Sequence, residues 1–145
     1  MFFLTSCDTK HKNTTALNDT LNISPILTPD SVNPNGSSEL ALLMRTLEKT
    51  GERNKVLLIS EKSPEKWPEN RVEKLLTATP TDDEIKGTHY DAFALDFIAA
   101  VQNFNKSDKK SEAITLHNRI IGVCMSCHEQ SCAGPMVRIK KLFVN

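Results

Sequence analysis

The sequence lacks the features that would place a chain in several specialised classes. Lysine plus arginine and aspartate plus glutamate number 18 each, so the basic surplus of a non-specific nucleic-acid binder is missing. Five glycines and seven prolines among 145 residues are too few for a collagen-like or wholly disordered chain. No apolar run reaches the roughly 18 residues of a transmembrane helix. With 39% apolar and 6% aromatic residues, we expect one modest domain with few rings in its core.

The N-terminal segment MFFLTSC ends in a pattern typical of a lipid attachment site. Leu4-Thr5-Ser6-Cys7 resembles the lipobox of bacterial lipoproteins, in which a branched apolar residue and two small ones precede the lipidated cysteine. A signal peptide has a basic n-region and an apolar h-region of about 7–15 residues, whereas only six residues, none basic, precede Cys7. Two interpretations remain: a lipid anchor at Cys7 whose true start lies further upstream, or an apolar terminus with an unrelated cysteine.

Residues 8–36 have the composition of a linker. They are rich in Asn, Thr, Asp, Ser and Pro and show no sustained apolar periodicity, which predicts a mostly disordered tether. We therefore divide the chain into a lipobox-like start with its tether, residues 1–36, and a folded domain, residues 37–145. A lipid-anchored domain needs such a spacer between the membrane and its fold.

The folded domain shows helical periodicity in four segments and no convincing strand alternation. The first segment follows Ser38, a good N-cap, and is expected to run to about Glu61. Its apolar stripe consists of Leu40, Leu43, Met44 and Leu47, at the spacing of one helix face. The other three helices are expected over 69–79, over 89–105 and from 111 into the cysteine-rich segment. The sequence therefore predicts an all-α, antiparallel four-helix bundle.

The segment CMSCHEQSC, residues 124–132, holds three of the four cysteines and one of the four histidines. Cys124, Cys127 and His128 form C-x-x-C-H, the attachment pattern of c-type haem. On a helical turn the thiols at i and i+3 share one face, so both can form thioether bonds with the two vinyl groups of one porphyrin. His128 can then bind the iron from the same side. The pattern predicts haem c attached to the last helix.

Three other chemistries use the same residue types. A zinc site would use Cys124, Cys127, His128 and Cys132. However, Cys127 and His128 are adjacent, so their side chains would point away from a helical turn in diverging directions. This is a poor fit to one tetrahedral ion. A thioredoxin-like dithiol is expected at a helix start in a βαβ context, which this chain does not offer. A disulfide between Cys124 and Cys127 would close too short a loop to add much stability, so the spacing favours haem.

The place of the motif in the chain adds a family resemblance. Only 17 residues follow His128, so a methionine ligand cannot come from far downstream, and any sixth ligand must lie upstream. With CMSCH near the C-terminus, four helical segments and the first-helix stretch ELALLMRTLEK, residues 37–143 resemble the cytochrome c-prime family. The resemblance implies a four-helix bundle with the haem between the helices. In low-spin relatives a methionine of the first helix is the sixth iron ligand, and Met44 occupies the corresponding place.

The distal ligand separates two functions. If His128 and Met44 both bind the iron, the resemblance implies a low-spin electron carrier with a raised potential, a redox partner protein and no enzymatic activity. If Met44 does not bind, a five-coordinate haem would take up small gases such as nitric oxide or carbon monoxide, as in high-spin members. The alternative to iron binding is that Met44 is an ordinary residue of the hydrophobic core. Covalent haem attachment takes place outside the cytoplasm, so we expect a periplasmic protein, in agreement with the lipobox-like start.

The chain departs from the family after the motif. Pro135 lacks a backbone donor and disfavours helical geometry at the residue before it, so we expect a break and then a short helix from Pro135 to about Phe143. Its basic outer face would consist of Arg138, Lys140 and Lys141. Cys132 is either a buried thiol or a crosslink between two copies in a homodimer. His117 lies ~16 Å from His128 by helical rise, too far to bind the same iron.

Overall fold

The computed structural model describes residues 38–145. The predicted tether and the candidate lipid anchor Cys7 lie outside this range. Within it the protein is all-α and contains no strand. The α-helices are α1 (Glu39–Ile59), α2 (Glu69–Val72), α3 (Tyr90–Lys106), α4 (Ala113–Ser131) and α5 (Met136–Lys140). Three 3₁₀ segments, Glu73–Leu76, Asp83–Lys86 and Lys110–Glu112, complete the regular structure of this part of the chain.

The first predicted helix is confirmed, and the second is shorter than predicted. The Ser38 hydroxyl accepts the Ala41 N–H at 3.2 Å, which is the expected N-cap of α1. The α-helical part of the second segment lasts only four residues and tightens into a 3₁₀ turn that ends at Leu76. Thr79 then offers its carbonyl to the Leu40 N–H at 2.9 Å. Residues 77–79 are therefore not helical, and the Thr79 carbonyl satisfies a backbone donor at the start of α1.

The three long helices α1, α3 and α4 supply most of the core, and the largest helix–helix contact joins α3 and α4. Their buried apolar residues include Leu40, Leu43, Leu47, Phe97, Val101, Phe104, Ile120 and Val123. This arrangement is compatible with a helical bundle. None of the helices within residues 38–145 is long and apolar enough to cross a lipid bilayer.

Two buried asparagines hold the connection between α1 and α2. The Asn54 amide donates to the carbonyl of Glu65 at 3.0 Å and accepts the N–H of the same residue at 2.7 Å. Asn105, at the end of α3, forms the same pair of bonds with the backbone of Trp67: its amide accepts the Trp67 N–H and donates to the Trp67 carbonyl, both at 2.9 Å. Each amide satisfies one donor and one acceptor of a backbone that no helix pairs. The segment around Trp67 therefore has a fixed course.

The chain after α4 turns back and packs on α1 and α4. As Pro135 predicts, the helix is interrupted over residues 132–135 and α5 follows. Asn118 of α4 brackets Val144, with its amide donating at 2.8 Å and accepting at 2.9 Å. Lys55 Nζ of α1 donates to the carbonyl of Lys141 at 2.7 Å. These bonds tie the C-terminal segment to two long helices at once.

His117 anchors the same segment from the interior. It is completely buried on α4, and its Nε2–H donates to the carbonyl of Leu142 at 3.0 Å. Nδ1 has no hydrogen-bond partner among residues 38–145. Burial lowers the pKa of His117 below its usual 6.5; the bond to Leu142 opposes this, and nearby Lys55 adds to the lowering. The fold therefore favours the neutral imidazole.

We expect acid to destabilise the fold through His117. Because its folded pKa is lowered, its contribution to stability is complete above the unfolded value near 6.5 and is lost as the pH falls through the folded value. His117→Gln keeps a neutral donor and should reduce the loss of unfolding free energy between about pH 7 and about pH 5 in urea titrations. The control is His89→Gln, since His89 is exposed at the start of α3. An equal pH dependence in wild type and His117→Gln would contradict the prediction.

Candidate functional site

The helices surround a cavity of about 660 Å³, a volume typical of ligand and cofactor sites. Its wall is mostly apolar and is built from α1, α3, α4 and α5. All four residues that the sequence associates with haem line this one cavity, namely Met44, Cys124, Cys127 and His128. Leu40 and Leu47 of α1 and Phe93 and Phe97 of α3 complete much of the apolar wall. The structure thus brings a methionine from the first helix and the C-x-x-C-H residues from α4 to one place.

The imidazole of His128 is held in the orientation that metal-binding histidines adopt. Nδ1 lies 3.0 Å from the carbonyl oxygen of Cys132. A carbonyl can only accept, so Nδ1 carries the proton and Nε2 of the neutral ring keeps the lone pair that binds a metal. The Cys132 N–H closes the last turn of α4 on the His128 carbonyl, also at 3.0 Å. The helix therefore ends where the carbonyl of its C-cap residue, Cys132, can orient the imidazole.

The two motif thiols are in surroundings that favour the protonated form. Burial raises the pKa of Cys124 to about 12, and the nearby Cys127 adds to this. Burial also raises the pKa of Cys127, although a hydrogen bond with Ser131 opposes the rise. Redox-active and nucleophilic cysteines have lowered pKa values, because the thiolate is the reactive form. The described surroundings therefore give neither thiol the activation that a dithiol oxidoreductase needs.

The side chain of Met44 is half-buried on the inner face of α1. It packs against the main core and contributes to the cavity wall. A thioether is a soft, uncharged ligand that suits haem iron, and the neighbouring Leu40, Leu47 and Phe93 limit the access of water. Met125 and Met136 do not line this cavity. Among the methionines within residues 38–145, Met44 is thus the one that could serve as a distal ligand there.

Geometry gives less support to the zinc alternative. Among residues 38–145, no three side chains of His, Cys, Asp or Glu are grouped so that they could hold a metal ion. Cys132 is half-buried and lines the cavity together with the motif residues. A haem iron needs no such protein cluster, since the porphyrin supplies four nitrogens and the chain supplies only the axial ligands. The residues present therefore suit a haem better than a tetrahedral zinc site.

Trp67 is a cavity residue that sequence reasoning did not single out. Its ring is 3% exposed and meets Phe97 edge-to-face, with the ring centroids 5.9 Å apart at 83°. Its Nε1–H has no acceptor within the described part of the chain. Buried indole donors usually have a partner, so this orphaned donor fits a cavity that receives a ligand with acceptor atoms. The only signal in the sequence was that it is the single tryptophan, set between two prolines.

The structure also places Arg138 and His117, two other residues discussed in the sequence analysis. Arg138 is exposed, as expected of an outer basic face, and it also lines the cavity, where its Nε pairs with Glu48 Oε1 of α1 at 3.4 Å. The reason is that α5 folds back against α1 and turns this side chain toward the cavity rim. Lys140 and Lys141 are exposed as predicted. His117 does not reach the cavity wall, because it points instead toward the C-terminal segment.

Comparison with known proteins adds no relative. No protein-family model matches the chain, and neither a curated protein nor a solved structure does. Function is therefore inferred from the side chains around the cavity.

Proposed function

We propose that the chain is a c-type cytochrome that carries electrons through one covalently attached haem c. The observation that supports this most is the convergence of Cys124, Cys127, His128 and Met44 on one apolar cavity. A C-x-x-C-H sequence that arose by chance would need no cofactor-sized cavity in front of it, and no methionine on a different helix in the same wall. The proposal includes membership of a cytochrome c-prime-like group, on the resemblance alone.

In this proposal the protein groups have separate roles. Cys124 and Cys127 would hold the porphyrin through thioether bonds, which form by addition of each S–H across one vinyl group and would consume no oxidant or reductant. His128 would bind the iron through Nε2, and the Cys132 carbonyl orients its ring. Met44 of α1, which lines the same cavity, would supply the second protein ligand to the iron. The bound haem supplies an iron that alternates between the ferrous and ferric states.

The surrounding residues suit an electron carrier rather than an enzyme. Phe93, Phe97 and Leu47 line the cavity and exclude water, which lowers the solvent reorganisation that accompanies a change of charge. A methionine ligand favours the reduced iron and raises the potential. The exposed Lys140 and Lys141 would steer an acidic redox partner protein toward the C-terminal face.

The helices in this proposal form an antiparallel bundle in which α2 is the short member. Tyr90 at the start of α3 and Cys127 near the end of α4 line the same cavity, which supports an antiparallel pairing of these two helices. Asp96 and Arg119, in the middle of these two helices, pair at 2.8 Å. We further propose a periplasmic location with a lipid anchor at Cys7, in keeping with covalent haem attachment outside the cytoplasm.

The intact mass and the absorption spectrum of the purified chain test the proposed function. The chain is produced in bacteria that carry a cytochrome c maturation system, and its mass is measured under denaturing conditions. We expect the polypeptide mass plus one haem, and a low-spin spectrum whose oxidised form has a sulfur-to-iron charge-transfer band. A five-coordinate spectrum with carbon monoxide uptake would support the gas-binding alternative instead. A mass without haem would contradict the proposal.

A further inference from the structure

The chain after α4 is joined to the rest of the molecule through a short, exposed hinge. Residues 132–135 separate α4 from α5, and both Ala133 and Gly134 are exposed. Beyond its chain neighbours, no heavy atom lies within 4 Å of the place where a Cβ would stand on Gly134. The Ala133 carbonyl accepts the Met136 N–H at 3.2 Å, a bond that stays within the turn. A change of backbone direction at Gly134 would therefore displace no packed side chain.

Residues 136–145, which we call the C-terminal strap, are buried in small clusters outside the main core. Ile139 and Leu142 belong to one such cluster, and Val144 belongs to a second. Neither cluster shares a buried residue with the main core that α1, α3 and α4 supply. A segment with few contacts to the main core can open locally, at a lower free energy than global unfolding.

Side chains of α1 and α4 hold the strap in place through bonds to its backbone. Lys55, His117 and Asn118 donate to strap carbonyls at distances of 2.7 to 3.0 Å. Asn118 also accepts the Val144 N–H at 2.9 Å. Because α5 has only five residues, it is too short to persist as a helix in water. Release of the strap from these side chains would therefore also melt α5.

The strap forms one wall of the cavity and packs against a motif thiol. Its residues Arg138, Ile139 and Leu142 line the cavity. Cys124 is half-buried and packs against the cluster that Ile139 and Leu142 form with Ile121 of α4. Removal of the strap would therefore open this side of the cavity and uncover the thiol.

We propose that the C-terminal strap is a hinged cover that closes over Cys124 and opens locally to give a large reagent or cofactor access to it. A thiol beneath two apolar side chains cannot form a bond with a bulky partner while those side chains stay in place. The inference concerns access to the cavity and does not depend on which molecule fills it. In the proposed cytochrome, opening of the strap would precede thioether formation at Cys124, and closing would follow it.

Native-state hydrogen exchange of the full chain, produced without haem attachment, tests the local opening. In the wild type, the amides of α5 should exchange faster than those in the middle of α3. Asn118→Ala removes both bonds to Val144 and should raise the exchange rate of α5 about tenfold. The matched control is Asn54→Ala, which removes the same pair of bonds from Glu65 and leaves the contacts of the strap intact.

This control separates local opening from global unfolding. Asn54→Ala destabilises the strap-closed and strap-open forms equally, so the exchange rate of α5 should not change. Exchange of α3 through global unfolding should rise in both variants. Alkylation of Cys124 by iodoacetamide, located by peptide mapping, should follow α5. We expect it to be about tenfold faster in Asn118→Ala and unchanged in Asn54→Ala.

Three results would overturn the proposed cover. Equal rises of α5 exchange in Asn118→Ala and Asn54→Ala would show that the strap opens only when the whole domain unfolds. Faster α5 exchange without faster alkylation would show that the strap does not control access to Cys124. Exchange of the entire wild-type chain at the rate of an unfolded peptide would show that no strap closes in it. Because these measurements need no haem, each result is independent of the mass test of the proposed function.

Discussion

Replacing Cys124 and Cys127 together by serine is expected to remove covalently bound haem completely. These two thiols lie one helical turn apart on α4 and line the cavity, and a serine hydroxyl does not form the thioether. Under denaturing conditions, the mass of the variant should therefore be that of the substituted polypeptide alone. Wild type prepared in the same cells should exceed its polypeptide mass by one haem.

The matched control for this prediction is Cys132→Ser. Cys132 lines the same cavity, but it supports the imidazole of His128 through its backbone carbonyl, which serine keeps. We expect full haem content in this variant. A zinc site built on the three cysteines predicts no haem in the wild type or the variants, and a loss of bound zinc in Cys132→Ser, because that substitution would remove a ligand. Covalent haem in the double variant would show that attachment does not use the motif thiols, and its loss in Cys132→Ser would show that the Cys132 thiol takes part.

The parts of the fold that were predictable depend on local patterns. The stripe on the first helix places Leu40, Leu43 and Leu47 in the core, because a 3.6-residue period needs only neighbouring residues to be recognised. Ser38 as N-cap is local in the same sense. The interruption before α5 follows from the chemistry of Pro135 alone. Each of these features is decided within one or two helical turns.

The features that sequence analysis missed depend on residues far apart in the chain. The second helix is short because Thr79 pairs with Leu40, a contact that no periodicity reveals. Gly51 weakens α1 as an isolated helix, and the structure supplies the reason for it. A Cβ there would lie only 3.3 Å from Leu142 Cδ1 and 3.6 Å from Trp67. The glycine lets α1 approach the C-terminal segment closely.

The candidate site shows the same division. C-x-x-C-H identifies the residues of α4 because the attachment chemistry is encoded in five consecutive positions. The cavity could not be predicted, because Arg138 reaches its wall only after residues 132–135 turn the chain back onto α1. Glu48 and Arg138 are 90 positions apart, and a basic residue on a short amphipathic helix is usually solvated. Only the tertiary contact distinguishes Arg138 from Lys140.

Met44→Leu is expected to convert a low-spin, six-coordinate haem protein into a five-coordinate one. Leucine has nearly the volume of methionine, so the half-buried position should lose less than about 1.5 kcal/mol of stability. What it removes is the sulfur that we propose as distal ligand. The charge-transfer band of the oxidised form should disappear, the reduced form should bind carbon monoxide readily, and the potential should fall because methionine no longer favours the ferrous state.

The matched control for this last prediction is Met125→Leu. Met125 is half-buried and packs against the cluster of Ile121, Ile139 and Leu142, but it does not itself line the cavity, so the same chemical change tests packing without removing a candidate ligand. Its spectrum should stay low-spin. If Met44→Leu also keeps the low-spin spectrum and its charge-transfer band, Met44 is a core residue and another group binds the iron. If the wild type already binds carbon monoxide as a five-coordinate protein, both variants should match it, and the gas-binding alternative applies.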